Sequence, residues 1–239
     1  MMINIRQALI VSKKEFKSYF VSPIAYIVII IFLFIINWFY ITPFFYQKQA
    51  SMRTFFSLLP IVMVFIVPAV TMKLFSEEIN SGSYELIATL PISTLEIVLG
   101  KYLSAIYFIV FMLLPTLLYP VSLSLIGDFD IGLILGGYVG SLFLGGAFAA
   151  IGLFSSSLTK NQIVSFMTGV VICFTLWGIE MMLDFIPADI VSFLRYLCSD
   201  FHFRNISKGV FDFRDFLYFI SLIFVFLYSS ILYLDNKDK

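Results

Sequence analysis

The chain has 239 residues, 61% of them hydrophobic and 13% charged, and its fifteen basic and fifteen acidic side chains sum to a net charge of zero. Soluble domains average roughly 25% charged residues, so the composition specifies a polytopic membrane protein of the inner-membrane type. With no basic tract longer than Lys13-Lys14, the chain lacks the electrostatic footprint of a nucleic-acid binder.

The leader, residues 1–22, comes first. Between Ile3 and Phe20, the apolar Ile5, Leu9, Phe16 and Phe20 recur near a 3.6-residue period, while Arg6, Lys13 and Lys17 fall mostly to another side. This spacing predicts an amphipathic interface helix on the cytoplasmic membrane face, with its lysines among anionic lipid head groups. Six apolar runs follow, each near the roughly 20 residues that a helix needs to cross the hydrocarbon. They are Ile24 to Phe45, Leu58 to Phe75, Tyr102 to Ile126, Ile131 to Ser157, Ile163 to Ile186 and Phe216 to Leu234. Lipid offers no partner to a bare backbone, which makes these runs helices and the fold all-α. Pro23 opens the first run, where its missing N–H costs nothing. Pro60 and Pro68 in the second run, and Pro115 and Pro120 in the third, are expected to kink or locally unwind their helices. The basic leader favours a cytoplasmic amino-terminus, which puts nine of the fifteen basic residues on that side and, after six spans, returns the carboxyl-terminus to it.

Residues 76–101 interrupt the apolar pattern with Glu77, Glu78, Glu85 and Glu96. Glu77 and Glu78 prolong the second span, and Gly82 and Ser83 permit a sharp turn. Tyr84 to Leu90, including Glu85 and Leu86, supply an apolar and acidic face that Pro91 ends, and Ser93 suits the cap of a helix continuing through Glu96. In the fourth run, Gly132, Gly136 and Gly140 form one ladder and Gly137, Ser141, Gly145 and Ala149 a second, which predicts a buried central helix approached closely by its neighbours. Glu180 and Asp184 stand one turn apart near the end of the fifth run and are read as translocation-path or interfacial groups. Residues 187–215 alternate apolar with charged positions, which predicts short amphipathic helices at the outer interface. Within them His202, the single histidine, reads as a surface or capping residue, because a metal site needs several converging ligands. Cys173 and Cys198 have no metal-ligand spacing and read as small buried apolar residues. The chain carries no Gly-x-x-x-x-Gly-Lys-Ser/Thr phosphate loop and so does not bind ATP by that route.

Several of these motifs recur together in one family. Lys14-Glu15-Phe16, Tyr19-Phe20 and Ser22-Pro23-Ile24-Ala25-Tyr26 stand at the amino end, and Ser51-Met52-Arg53 before the second span. Glu77-Glu78, Ser81-Gly82-Ser83, Glu85-Leu86, Thr89-Leu90-Pro91-Ile92-Ser93 and Gly100-Lys101 follow. Ser155 to Gln162, and His202 to Val210, complete the set. In this order and spacing the chain resembles ABC-2-type transporter permeases over nearly its whole length. It is most similar to the branch that includes the gliding-motility permease and the permease of the nitrous-oxide-reductase maturation system. Ser83 stands where that family more often shows threonine, with the hydroxyl kept. The resemblance implies a single transmembrane domain of the type V exporter kind over residues 1–239, in the cell inner membrane. It implies no catalytic, cofactor or metal site in this chain, with ATP and magnesium held by a separate ATPase subunit, and a second permease half, identical or similar. In such permeases the connection between the second and third spans is a coupling helix resting in a cleft of the ATPase. That role is carried here to Glu77, Glu78, Gly82, Ser83, Tyr84, Glu85, Leu86 and Pro91. The readings left open are a membrane-embedded enzyme and a non-ABC membrane scaffold or channel.

Overall fold

The structure, a computed structural model, describes residues 5–47, 52–89, 91–124, 130–183 and 188–237, and every regular element among them is helical. In chain order these are α1 (Ile5–Val21), α2 (Pro23–Gln47), α3 (Met52–Thr71), α4 (Lys73–Ser81), α5 (Ser83–Ala88) and α6 (Thr94–Leu113). A 3-10 turn (Leu114–Leu117) then leads into α7 (Leu118–Ser124), α8 (Ile131–Leu158), α9 (Gln162–Met182), α10 (Ala188–Leu197), α11 (Ser199–Ser207) and α12 (Phe213–Lys237). Six stretches are long and apolar enough to cross a membrane: Pro23–Thr42, Met52–Ser81, Thr94–Ser124, Ile131–Leu158, Gln162–Met182 and Phe213–Lys237. They coincide with the six apolar runs of the sequence. The second and third extend beyond those runs because polar helical turns, residues 76–81 and 94–101, continue them.

The helix starts follow local chemistry. Asp130 accepts the Leu133 N–H at 3.2 Å and opens α8, and Asn161 accepts the Ile163 N–H at 2.9 Å and opens α9; such caps stabilise a helix by about 1 kcal/mol each. Pro115 sits in the 3-10 turn, the local unwinding expected of the third span.

Helix α8 is the centre of the bundle, in contact with α3, α4, α6, α9, α11 and α12. Of its apolar window 67% is buried, against 17% for α2, which lies on the outside. Lipid tails are as apolar as leucine, so helices associate in a membrane chiefly by close packing of small residues. The glycine ladder does this here: a Cβ added at Gly136 would collide with the Ile206 carbonyl, and one at Gly152 with the Thr71 hydroxyl. The predicted buried central helix is therefore what the chain builds.

The second span is broken at Met72, between α3 and α4. The Thr71 hydroxyl donates back to the Val67 carbonyl at 3.1 Å, a competition with the backbone ladder that bends helices. Met72 offers α4 no side-chain cap. The cap comes from α8: Ser156 Oγ accepts the Phe75 N–H at 2.9 Å and the Ser76 N–H at 3.0 Å, and donates to the Met72 carbonyl at 2.8 Å.

Helix α1 lies along α6. A Cβ at Gly100 would stand 2.6 Å from Val11 Cβ and 2.8 Å from the Ala8 carbonyl, so the two backbones nearly touch. Its stripe against the bundle is Ala8, Ser12 and Tyr19, whereas Ile5, Leu9 and Ile10 are exposed, as the apolar residues of a helix lying on a membrane would be. Phe16 and Phe20 cover the rim of the bundle, Phe20 edge-on to Phe111 at 4.9 Å. At the other end of the bundle, α10 and α11 are the short helices expected there. Helix α11 is wedged against α8, burying Phe203 and Ile206 fully rather than resting on the surface.

Candidate functional site

The segment from α4 to the start of α6 is built around one buried cation. Lys101, about two turns into α6, is 1% exposed, and its Nζ lies 2.8 Å from Glu78 Oε1, 3.4 Å from Glu15 Oε1 and 2.6 Å from the Leu74 carbonyl. The Phe75 ring lies beside it, with Nζ 5.0 Å from the ring centroid. A buried ammonium requires both paired charge and hydrogen bonds. Lys101 of α6 finds them on two other elements, Glu15 on α1 and Glu78 and Leu74 on α4. Glu78 thus turns inward, its side chain 16% exposed, while the neighbouring Glu77 is exposed.

Gly82 ends α4 with φ +74°, a left-handed conformation that a side chain resists, and this redirects the chain into α5. Ser81 and Ser83 hydroxyls meet across that turn. Tyr84 is buried and packs edge-on against Phe75 at 6.2 Å, pinning α5 to α4. What α5 then presents outward is Glu85 in its first turn and Leu86, 70% exposed. Leu90 lies outside the described residues. Pro91 is exposed, and its carbonyl faces the Gln7 side-chain amide of α1 at 3.5 Å. Helix α6 then starts in the capping box that Ser93 suggests. The Ser93 hydroxyl accepts the Glu96 N–H at 3.3 Å and a Glu96 carboxylate oxygen accepts the Ser93 N–H at 2.9 Å, which takes the buried Glu96 out of the outward charge. A cleft of about 500 Å³ opens between α1 and the α4–α5 turn, lined by Lys14, Glu15, Lys73, Glu77, Ser83 and Leu86 among others.

At the far end a second charged cluster forms around Glu180. Asp184 lies outside the described residues, so the i, i+4 pair of the sequence is not what the structure describes there. Glu180 instead meets residues of α11: Arg204 bridges Glu180 Oε1 at 3.4 Å and Asp200 Oδ2 at 2.6 Å. Arg204 thus brings the Asp200 and Glu180 carboxyls to one guanidinium. Burial raises the Asp200 carboxyl to about 6, with Glu180 adding to the rise and Arg204 opposing it.

His202 overturns its expected place on the surface. It is 3% exposed, Nδ1 lies 2.6 Å from Asp215 Oδ1, Nε2 donates to the Tyr196 carbonyl at 3.0 Å, and the ring stacks on Tyr218 at 4.1 Å. The histidine of α11 is drawn inside here because the end of α10 supplies a carbonyl and the start of α12 a carboxylate and an aromatic face at one point. The sequence signal was its position within an apolar stripe, Phe201, Phe203 and Ile206. Cys173 and Cys198 are both free and buried, as expected. Among the described residues, no group of three or more histidine, cysteine, aspartate or glutamate side chains is placed to hold a metal ion. No protein-family model matches the chain, and a search of curated proteins finds no match.

Proposed function

We propose that this chain is the membrane-spanning permease subunit of an ABC transporter, of the ABC-2 type suggested by its motifs. Hydrolysis of ATP by a separate ATPase subunit would drive export or mechanical work across the membrane. A second permease half, identical or similar, completes the unit, the termini lie in the cytoplasm, and the α4–α5 turn is the coupling segment.

The observation that carries this reading is the pairing of a rigid base with an exposed tip. Lys101 fastens α4 to α1 and α6 through Glu78, Glu15 and Leu74, while α5 holds Glu85 and Leu86 outward. A push on such a tip moves the second span rather than bending a loop, which is what a coupling element has to do. The break at Met72, just inside, is where that motion can enter the span. An enzyme reading finds less support, since both ring nitrogens of the buried His202 are already engaged by the chain's own groups.

In this reading the residues carried over from the resemblance divide into two tasks. Glu85 and Leu86 are the contact residues in this reading, and Glu78, Gly82 and Tyr84 hold them in place. The test is co-purification of the ATPase with Glu85→Lys and Leu86→Ala proteins, beside their membrane abundance. The expected result is normal abundance with the ATPase lost or its hydrolysis uncoupled, because apposed like charges across an interface cost several kcal/mol. Normal association and transport by both variants would return the turn to a solvated connector.

A further inference from the structure

His202 stands where α10, α11 and α12 meet, at the end of the molecule away from Lys101. Its Nδ1 lies 2.6 Å from Asp215 Oδ1 on α12, and its Nε2 lies 3.0 Å from the Tyr196 carbonyl in the last turn of α10. A carbonyl and an ionised carboxylate can only accept hydrogen bonds, and a neutral imidazole has a single N–H. A neutral ring would therefore set a bare nitrogen against one of these two oxygens, whereas the imidazolium satisfies both. Three features of the site favour the cation. Asp215 is 3% exposed, and a buried carboxylate needs a paired charge. The carboxyl end of α10, the negative pole of that helix, faces Nε2. The ring also stacks on the face of Tyr218 at 4.1 Å.

The other charged and titratable groups nearby are engaged elsewhere or lie outside. On α11, Arg204 is taken by Asp200 and by Glu180 of α9, and the Asn205 amide donates to Asp215 Oδ1 at 3.4 Å. The Cys198 thiol, between α10 and α11, faces the Trp177 carbonyl at 3.5 Å. From α10 come the exposed Tyr196 phenol and Arg195, whose guanidinium lies over the Phe201 ring at 5.7 Å. Asp212 and Arg214, at the start of α12, are exposed. Helix α8 meets α11 with Gly136 and Gly140, and α3 reaches its far end, where Arg53, Lys208 and Asp130 line a cleft. Asp215 is thus the carboxylate within ion-pair distance of the ring.

We propose that His202 is held as an imidazolium whose second proton is a latch, fastening α10 and α11 to α12 and released when the solution at this end turns alkaline. Loss of that proton to a base in solution strands the Asp215 charge or turns a lone pair on the Tyr196 carbonyl. What still ties the end of α10 to α12 is the Tyr218 hydroxyl, which donates to the Leu197 carbonyl at 2.7 Å. A free imidazole titrates near about 6.5, so above that pH the closed latch keeps a proton that the opened one releases. The stability from the latch is therefore present at lower pH and declines as pH rises from there. The inference needs only the contacts of this histidine and stands apart from the transport reading.

His202 is the single histidine of the chain, so ring-labelled histidine gives one pair of nitrogen signals. In the folded full chain in nanodiscs at about pH 8, where a free imidazole is neutral, both ring nitrogens should carry protons. In Asp215→Asn the new amide can donate to Nδ1, every hydrogen bond survives with a neutral ring, and one nitrogen should be bare at the same pH. Hydrogen exchange at the amides of α10 and α11, taken as the ratio of wild type to Asp215→Asn, should quicken about ten-fold per pH unit above that range, because opening releases one proton. A bare ring nitrogen in the folded wild type at that pH, or an exchange ratio that does not change with pH, would overturn the proposal. The wild-type spectrum decides alone if Asp215→Asn does not fold.

Discussion

Replacing Lys101 by methionine, which keeps the length of the side chain and removes its charge, tests the buried cation at the base of the α4–α5 segment. The substitution leaves Glu78 and Glu15, 16% and 13% exposed, sharing a pocket whose remaining ion-pair partner is the exposed Lys14, 3.8 Å from Glu15, and leaves the Leu74 carbonyl without its 2.6 Å donor. Removing one member of a buried ion pair costs about 3–5 kcal/mol. Water reaching both carboxylates from the cleft screens part of this, so the expected loss is about 2–4 kcal/mol. For a chain of this size each kcal/mol moves Tm by about 2–4 °C, a fall of roughly 5–15 °C. Thermal unfolding of the wild type, Lys101→Met, Glu78→Gln and the double variant in nanodiscs forms a complete cycle. The double variant should be more stable than Lys101→Met alone, with a coupling of at least about 1 kcal/mol, because it leaves one carboxylate, Glu15, in the pocket rather than two. Strict additivity, or a Tm change under about 1 °C for Lys101→Met, would refute the claim that this pair holds the segment. The same reasoning separates two charge reversals that look alike in sequence: Glu78→Lys should reduce folded protein in the membrane, and Glu85→Lys should not.

Three further outcomes are expected. Ser156→Ala strips the cap from the Phe75 and Ser76 N–H groups and should cost about 1–3 kcal/mol, with faster amide exchange at Phe75; unchanged exchange there would show that the cap contributes nothing. Gly136→Val forces a side chain into the Ile206 carbonyl and should abolish folded protein, whereas Gly178→Ala, whose new Cβ would meet only Phe174 at 3.7 Å, should leave abundance unchanged; equal abundance of the two would refute the packing argument. The Asp200 carboxyl, ordinarily at 3.8, is raised to about 6, so the folded state keeps a proton that the unfolded chain releases. The stability from this group is therefore present at low pH, falls as pH rises through that window and is level above it. Asp200→Asn should remove that part of the pH dependence of Tm, and an unaltered profile would rule the group out.

The spans were legible in sequence because lipid removes every alternative to a helix, and α8 because a four-residue ladder of small side chains has one use in a membrane. The caps were legible where they are local, as with Ser93 and Glu96. Partners far apart in sequence were not. Nothing within the leader announces that Glu15 meets a cation in α6, and Lys101 reads as an ordinary flanking charge until Gly100 brings α1 against it. Glu77 and Glu78 are equivalent on paper, and the helical phase of α4 makes one of them internal and the other a surface charge. Likewise Glu180 found its acidic neighbour at Asp200, in a separate helix, and a lone histidine was drawn inward by Asp215. Periodicity reports which residues share a face, but not what that face will meet.

The borrowed cap of α4 bears on the order in which the chain can be completed. Ser156 lies 81 residues after the Phe75 amide that it satisfies. At synthesis rates of about 5–20 residues per second, roughly 4–16 s pass between the two emerging from the ribosome. Throughout that interval the second span has no access to its native hydrogen bonds at the break. It must close its ladder with its own carbonyls or hold water at the membrane surface, and the bent helix becomes available only when the fourth span arrives. The break at Met72 is thus a property of two spans, installed late, and a chain truncated before Ser156 should carry a second helix that is straighter or wetter than the mature one.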